Sequence, residues 1–286
     1  MKTWIVAALF ALLPVVAHAA SRSEIRKQVE YSMLVRGTVE TDVAGNVSNA
    51  TVDKPEKFPA GLADYVQQQV TTWKFEPVLV DGKPMRARSN MSLLVVAKRV
   101  DKEAILIRIR NASFDDDGPQ GAGKEETLTW VKTTPPLYPE NVAAAGVMGT
   151  VYVVLKIGQD GTVQDAIAEQ VNLMAAGKEK VMTAWRDSFS SAALKAARKW
   201  TFQTPTRGEQ ASFDFWLARV PVSFMMQGSD PDRYGRWQVY LPGPRQTIPW
   251  GQEDAPGASP DSFADDGVYL LGQSKGPKLM TALDGS

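Results

Sequence analysis

Residues 150–161 read TVYVVLKIGQDG, and this segment carries the clearest structural signal in the chain. Apolar residues alternate along its first part, which is typical of a half-buried β-strand. The residues on the apolar face are Val151, Val153, Leu155 and Ile157. The GQDG sequence that follows supplies glycines for a tight turn. The pattern therefore predicts a β-hairpin, with the returning strand over residues 162–171.

A helix and a third strand are predicted to follow this hairpin. Apolar side chains at helical spacing define the helix, and they are Phe189, Ala193, Ala197 and Trp200. A turn at residues 204–208 then leads into a strand over 213–224. The apolar face of this strand comprises Trp216, Ala218, Val220, Val222 and Phe224. The predicted order is hairpin, helix, strand.

The same order is predicted nearer the N-terminus, which indicates an internal repeat. Residues 33–43 and 47–52 predict a hairpin around Gly45, and residues 91–97 predict the third strand. The helical stripe between them comprises Leu62, Val66, Val70 and Trp73. Trp73 and Trp200 each complete such a stripe and precede a Phe by two positions. Ligand stacking is one interpretation of these tryptophans, but core packing at the helix end is favoured.

These patterns divide the chain into five segments. Residues 20–112 form the first repeat, with an extra strand over 104–110, and residues 131–226 form the second. Residues 113–130, which contain an acidic run, are expected to be a linker. Residues 227–286 are rich in Gly and Pro, and we expect a tail that packs on the second repeat and is partly disordered. Residues 1–19 are considered separately below.

The N-terminus has the features of an export signal. Lys2 precedes an apolar run, and Ala17-His18-Ala19 supplies small residues where signal peptidase cleaves. Because the run is short and contains Pro14, cleavage is favoured over a membrane anchor. We therefore expect a periplasmic protein, and the alternative is an inner-membrane protein anchored by residues 4–20.

Composition argues against most catalytic and nucleic-acid-binding classes. The chain has no Cys, and its one His, His18, lies in the segment expected to be removed. The commonest general base, metal ligand and thiol nucleophile are thus missing from the mature protein. Lys+Arg and Asp+Glu are equal at 32 each, so no net positive charge attracts nucleic acid. We expect a protein that is not an enzyme and has no metal, cofactor or nucleic-acid partner.

Residues 135–224 resemble the C-terminal domain of the TonB family. The resemblance is carried by PPLYPENVA at 135–143, the Asp160-Gly161 turn, ALKAARKW at 193–200 and VPVSF at 220–224. It implies an α+β fold, with a small antiparallel sheet and a helix packed on one face, in two tandem copies. It also implies binding to a TonB-dependent outer-membrane receptor, since TonB binds a short receptor segment by strand addition. The chain departs from the family by having a removable N-terminus, a folded repeat instead of a Pro-rich spacer, and Leu137 where some members have Gln.

Two elements are candidates for binding a protein or peptide partner. One is the strand that carries Ala218, Val220, Val222 and Phe224, where Pro221 is compatible with an edge position. The other is Leu137-Tyr138-Pro139. Each has a structural alternative: the strand residues could pack the core, and the Tyr-Pro element could cap the sheet. The alternative function is a structural envelope protein whose edges pair with another copy to give a homodimer.

Overall fold

The computed structural model describes residues 29–101, 104–115, 125–229, 233–251, 259–263, 267–271 and 277–283. In this part of the chain the protein is α+β, with mostly antiparallel sheets and few helices. The first half contains β1 (Glu30–Thr41), β2 (Val47–Val52), α1 (Leu62–Thr71), β3 (Val78–Val80), β4 (Lys83–Met85), β5 (Ala87–Arg99) and β6 (Ile105–Asp115). The second half contains β7 (Thr129–Lys132), α2 (Glu140–Ala144), β8 (Gly149–Gly158), β9 (Val163–Leu173), α3 (Glu179–Ala197), β10 (Thr201–Gln203), β11 (Phe215–Phe224), β12 (Gln238–Tyr240) and β13 (Tyr269–Leu270).

Two larger sheets organise the molecule. The first has the strand order β12-β1-β5-β6, and β2 pairs with the other end of β1. The second has the order β13-β11-β8-β9. In each sheet the hairpin strand that comes first in sequence lies between its hairpin partner and the strand that follows the helix. Two short ribbons, β10-β7 and β3-β4, complete the pairing.

One helix packs on one face of each sheet, as the apolar stripes predict. Helix α1 buries Leu62, Val66 and Val70, and α3 buries Phe189, Ala193 and Ala197. Trp73 and Trp200 are both buried at the helix ends, and the Trp200 indole N–H donates to the Thr134 carbonyl at 2.8 Å. The preference for core packing of these tryptophans is confirmed.

The tail does not lie on the second sheet alone, so that expectation is wrong. Strand β12 extends the first sheet beside β1, whereas Leu241 pairs with Leu173 of the second. Near the C-terminus, Leu279 pairs with Phe75 and is buried in the first core. The physical reason is that short extended segments complete sheet edges far away in sequence, and such pairing leaves no local periodicity.

The segment expected to be a linker, 113–130, is partly strand. β6 continues through Asp115 because its later residues, including Phe114, are buried in the first core, and β7 begins at Thr129. The expected extra strand is confirmed in a longer form.

Residues 116–124 and the expected signal peptide lie outside the described residues. Within the described ranges, none of the helices has the length and hydrophobicity needed to cross a membrane.

Candidate partner-binding edges

The side chains predicted on β11 pack the core. Ala218, Val220, Val222 and Phe224 are all buried within the second hydrophobic cluster. β11 pairs with β8 along its whole length, and β13 covers its other side at Ala218 and Arg219. These four side chains therefore pack the core, as the alternative interpretation of this strand proposed. Only the backbone of β11 is left as a surface for a partner.

The open backbone of β11 is short. The Leu217 carbonyl accepts a hydrogen bond from the Leu271 N–H on the side away from β8. Because backbone direction alternates, Pro221 and Ser223 also point outward. Among the described residues, no strand pairs with this side over 221–224. Pro221 therefore lies at an edge, as expected, but it has no N–H, so only Ser223 offers an outward donor.

The Leu137-Tyr138-Pro139 element separates into a core residue and an exposed one. The Tyr138 hydroxyl donates to the Val147 carbonyl at 2.5 Å, and its ring packs edge-on against Phe189 and Phe224. Burial raises the pKa of Tyr138. Pro139 precedes α2, as predicted for a helix start. Leu137, by contrast, is 85% exposed. The element fixes the start of α2 and leaves a single exposed apolar side chain.

A longer open edge occurs on β6, which the sequence predicted as a strand but not as a binding site. β6 is the last strand of the first sheet, and no described strand pairs with its outer side. Three consecutive side chains there are exposed, Ile105 at 59%, Leu106 at 47% and Ile107 at 36%. An edge strand with exposed aliphatic residues is a site for association. The apolar run AILI after the third strand is the sequence feature that indicates this edge. A strand that is joined to the third strand by a hairpin lies beside it, at the end of the sheet.

The hydrogen-bond register shows which β6 backbone groups face outward. The Val100 N–H donates to the Ala104 carbonyl at 3.0 Å, which continues the ladder between β5 and β6. Alternation from that pair directs the N–H and C=O groups of Ile105, Ile107 and Ile109 away from β5. The Tyr65 hydroxyl of α1 donates to the Ile107 carbonyl at 3.1 Å, which agrees with this direction. The outer side of β6 thus presents backbone donors and acceptors in the order that an added strand requires. The Ile107 carbonyl already accepts from Tyr65, so an added strand would use its second lone pair or displace the tyrosine hydroxyl.

A group of cations lies on the β6 face that points away from α1. Glu30 of β1 is contacted by Lys98 at 3.4 Å, Arg108 at 3.5 Å and Arg110 at 2.9 Å. The Glu30 side chain is nearly buried, whereas the three cations are partly exposed. Three positive charges therefore surround one carboxylate next to the open edge.

A different ion group lies in the second sheet region and centres on a fully buried ion pair. Glu169 of β9 accepts two hydrogen bonds from the Arg219 guanidinium, at 2.7 and 2.9 Å, and both side chains are fully buried. Arg245 of the tail contacts the same carboxylate at 2.7 Å. This group fixes the tail onto β9, where the Gln246 N–H also donates to the Glu169 carbonyl.

A buried carboxylate joins the two sheets. Asp261 of the tail accepts from Asn111 Nδ2 of β6 at 3.0 Å and from Asn172 Nδ2 of β9 at 3.2 Å. The Tyr240 hydroxyl also donates to it. Burial, together with the Asp261 charge, raises the pKa of Tyr240, which keeps this hydroxyl protonated as a donor. The network stabilises the contact between the sheets, because removing one member would leave a buried polar group unpaired.

A cavity of about 290 Å³ lies beside this network. Its walls come from both sheets and the tail, and include Ser32, Leu94, Tyr152 and Arg233. Burial raises the pKa of Tyr152 well above its ordinary value, and Arg233 contacts the Ser223 hydroxyl at 3.5 Å. The walls of the cavity are bonded to one another, which favours a role in joining the sheets. Over the described residues, no His, Cys, Asp and Glu side chains group in a way that could hold a metal ion.

No family model matches the chain, and neither a curated protein nor a solved structure shows significant similarity to it. The resemblance to TonB C-terminal domains therefore stays a prediction, and the edges described above are interpreted from their own geometry.

Proposed function

We propose that this chain is a non-enzymatic periplasmic protein with two TonB C-terminal-like units that binds a partner by strand addition. The observation that supports this most directly is the outer side of β6, where outward backbone groups at Ile105, Ile107 and Ile109 lie beside exposed aliphatic side chains. Strand addition satisfies such groups with main-chain hydrogen bonds. The resemblance links the protein to TonB-dependent outer-membrane transport, with a receptor segment as the expected partner.

Matching turn contacts support the proposal of two equivalent units. In the first sheet, the Phe75 N–H donates to the carbonyl of Gly45 at 2.8 Å, and in the second the Phe202 N–H donates to Gly161 at 2.8 Å. Both glycines have positive φ, 82° and 75°. Each phenylalanine follows the helix and is buried, so the hairpin turn and the chain leaving the helix are held together in the same way twice.

The test is direct binding of periplasmic segments of TonB-dependent receptors, measured by fluorescence anisotropy with the purified protein. We expect saturable binding that Ile107→Lys reduces at least about tenfold, since a charge would replace an apolar contact at the edge. Val131→Lys is the matched control, because Val131 is an exposed aliphatic residue of β7. Leu137→Lys tests the other candidate element and should leave binding unchanged. Absence of binding by every segment would contradict the proposal.

The alternative is self-association, and the same observation favours it, because a second copy could also add a strand to β6. Light scattering distinguishes the two functions. The proposal predicts a monomer that stays monomeric as concentration rises. A dimer that Ile107→Lys dissociates would instead support a structural envelope protein.

A further inference from the structure

The two faces of the sheet beside the β6 edge differ in chemistry. On the face that carries α1, Tyr31, Ala97 and Ile107 are aligned across β1, β5 and β6. Ile105 continues this row at the edge, opposite Arg99. Tyr31 is 44% exposed, and it lies beyond the part of the sheet that α1 covers. We call Tyr31, Ala97, Ile105 and Ile107 the apolar row.

The opposite face carries the exposed side chain of Leu106, which is paired with Lys98, and the cationic row, which comprises Lys98, Arg108 and Arg110. Their three positive charges meet the single carboxylate of Glu30, so these four side chains together carry a net charge of +2. The cations are only partly buried, with Arg108 at 29% and Arg110 at 26% side-chain exposure. Opposite charges across neighbouring strands stabilise strand pairing, and like charges oppose it.

A strand added to β6 places alternate side chains on the two faces. Every second residue would contact the apolar row at Ile105 and Ile107, and the residues between would lie beside Leu106 and the cationic row. We infer that the β6 edge accepts an extended peptide of a partner protein in which apolar and acidic residues alternate. This inference rests on the proposed strand addition and adds the chemistry of the partner.

The cationic row also disfavours a second copy as the occupant. Antiparallel pairing of β6 with itself would bring Arg108 and Arg110 of both copies onto the same face of one continuous sheet. With Lys98 included, six positive charges would then gather around the two Glu30 carboxylates. An acidic peptide removes this repulsion, and a second copy increases it.

The test uses labelled peptides of about seven residues, a length that spans the open part of β6. One alternates Val with Glu, one Val with Gln and one Val with Lys, and each is titrated into the full-length protein by fluorescence anisotropy. We expect the Val/Glu peptide to bind at least about tenfold more tightly than the Val/Lys peptide, with Val/Gln between them. Added salt should reduce this difference, because the cations are partly exposed.

Two variants and one modified peptide make the result specific. Arg108→Gln should reduce the preference for Glu about threefold, while Glu30 keeps Lys98 and Arg110. Arg207→Gln is the control, because Arg207 is an exposed arginine paired with Glu125 in the other half of the chain. Melting curves of both variants verify that they fold. N-methylation of alternate amides in the Val/Glu peptide should abolish binding, since strand addition needs those N–H groups.

The outcomes separate the two proposals. Equal affinity of all three peptides, with sensitivity to N-methylation, would overturn the acidic partner but leave strand addition at β6 intact. Binding of the Val/Glu peptide that N-methylation does not affect would indicate simple charge attraction and overturn both. If no peptide binds, the proposed function at this edge is contradicted.

Discussion

The two sheets share a core arrangement but differ in what lies beyond the strand that follows the helix. Strand β5 is followed directly by β6, an 11-residue strand with no other described strand on its outer side. Strand β11 is instead covered by β13, a two-residue strand supplied by the tail. The helix faces are alike, with α1 and α3 each burying one apolar stripe.

The edge that such a unit leaves for strand addition therefore depends on its last strand rather than on its core. The second sheet carries the motifs on which the predicted TonB resemblance depends, yet the part of β11 without a described strand on its outer side is limited to 221–224 and lacks a donor at Pro221. The first sheet has the weaker predicted resemblance, and the edge of β6 that no described strand covers is longer than that of β11. An edge is available for strand addition only where the rest of the chain leaves it unpaired.

The largest expected effect tests the contrast between the two ion groups. Glu169→Ala should lower the free energy of unfolding by about 3–5 kcal/mol, because it removes the carboxylate paired with a fully buried arginine. Glu30→Ala should cost only about 1 kcal/mol, since Lys98, Arg108 and Arg110 can turn into water. Urea denaturation of both variants measures the difference. Equal losses in the free energy of unfolding would contradict the distinction between a buried ion group around Glu169 and a partly exposed one around Glu30.

The next effect tests whether the two turns are equivalent. A Cβ at Gly45 would lie 2.0 Å from the Phe75 carbonyl oxygen, and one at Gly161 would lie 1.9 Å from that of Phe202. With both glycines at positive φ, each change to Ala should cost about 2–3 kcal/mol. Gly82→Ala is the matched control, because Gly82 has a φ of 75° and no described atom lies within 4 Å of the position that its Cβ would take. Its cost should be about 1 kcal/mol. A large loss at only one of Gly45 and Gly161 would break the equivalence.

A smaller effect concerns the Tyr-Pro element, which the first sheet lacks. Tyr138→Phe removes a partly buried hydrogen bond to Val147 and should cost about 1 kcal/mol. Leu137→Ala should leave the free energy of unfolding unchanged within about 0.5 kcal/mol, since its side chain is exposed. Thermal melting distinguishes these variants. A marked loss of stability in Leu137→Ala would contradict the interpretation of Leu137 as an exposed residue without a packing role.

The smallest effect concerns pH and is expected in both halves. The Asn46 side chain donates to Asp42 and lowers its pKa, and the Thr162 N–H does the same for Asp160. When folding lowers the pKa of a carboxyl group, the ionised group stabilises the folded protein at pH values above its ordinary pKa. This stabilisation is lost as the pH falls through the lowered pKa. The double variant Asp42→Asn, Asp160→Asn should therefore lose less stability than the wild type between neutral pH and about pH 3. Urea midpoints at several pH values measure this, and identical pH profiles would contradict it.

Local features were predictable from the sequence, and long-range pairing was not. The α3 stripe and the hairpin around Gly161 depend on contacts between near neighbours, so periodicity and turn residues identified them. The pairing of Leu279 with Phe75 joins residues about 200 positions apart and has no signature in either segment. Strand β6 illustrates both cases. The turn residues at 99–102 and the apolar run after them predicted a strand, whereas its position at the end of the sheet depends on which other strands leave it uncovered.

Amide hydrogen exchange along β6 tests strand addition most directly. In the free protein we expect fast exchange at the outward amides of Ile105, Ile107 and Ile109 and slow exchange at Leu106 and Arg108, which pair with β5. Addition of the Val/Glu peptide should slow the three outward amides and leave the other two unchanged. Outward amides that are already protected in the monomer would contradict strand addition at β6. Protection that appears at Ser223 instead would also contradict it.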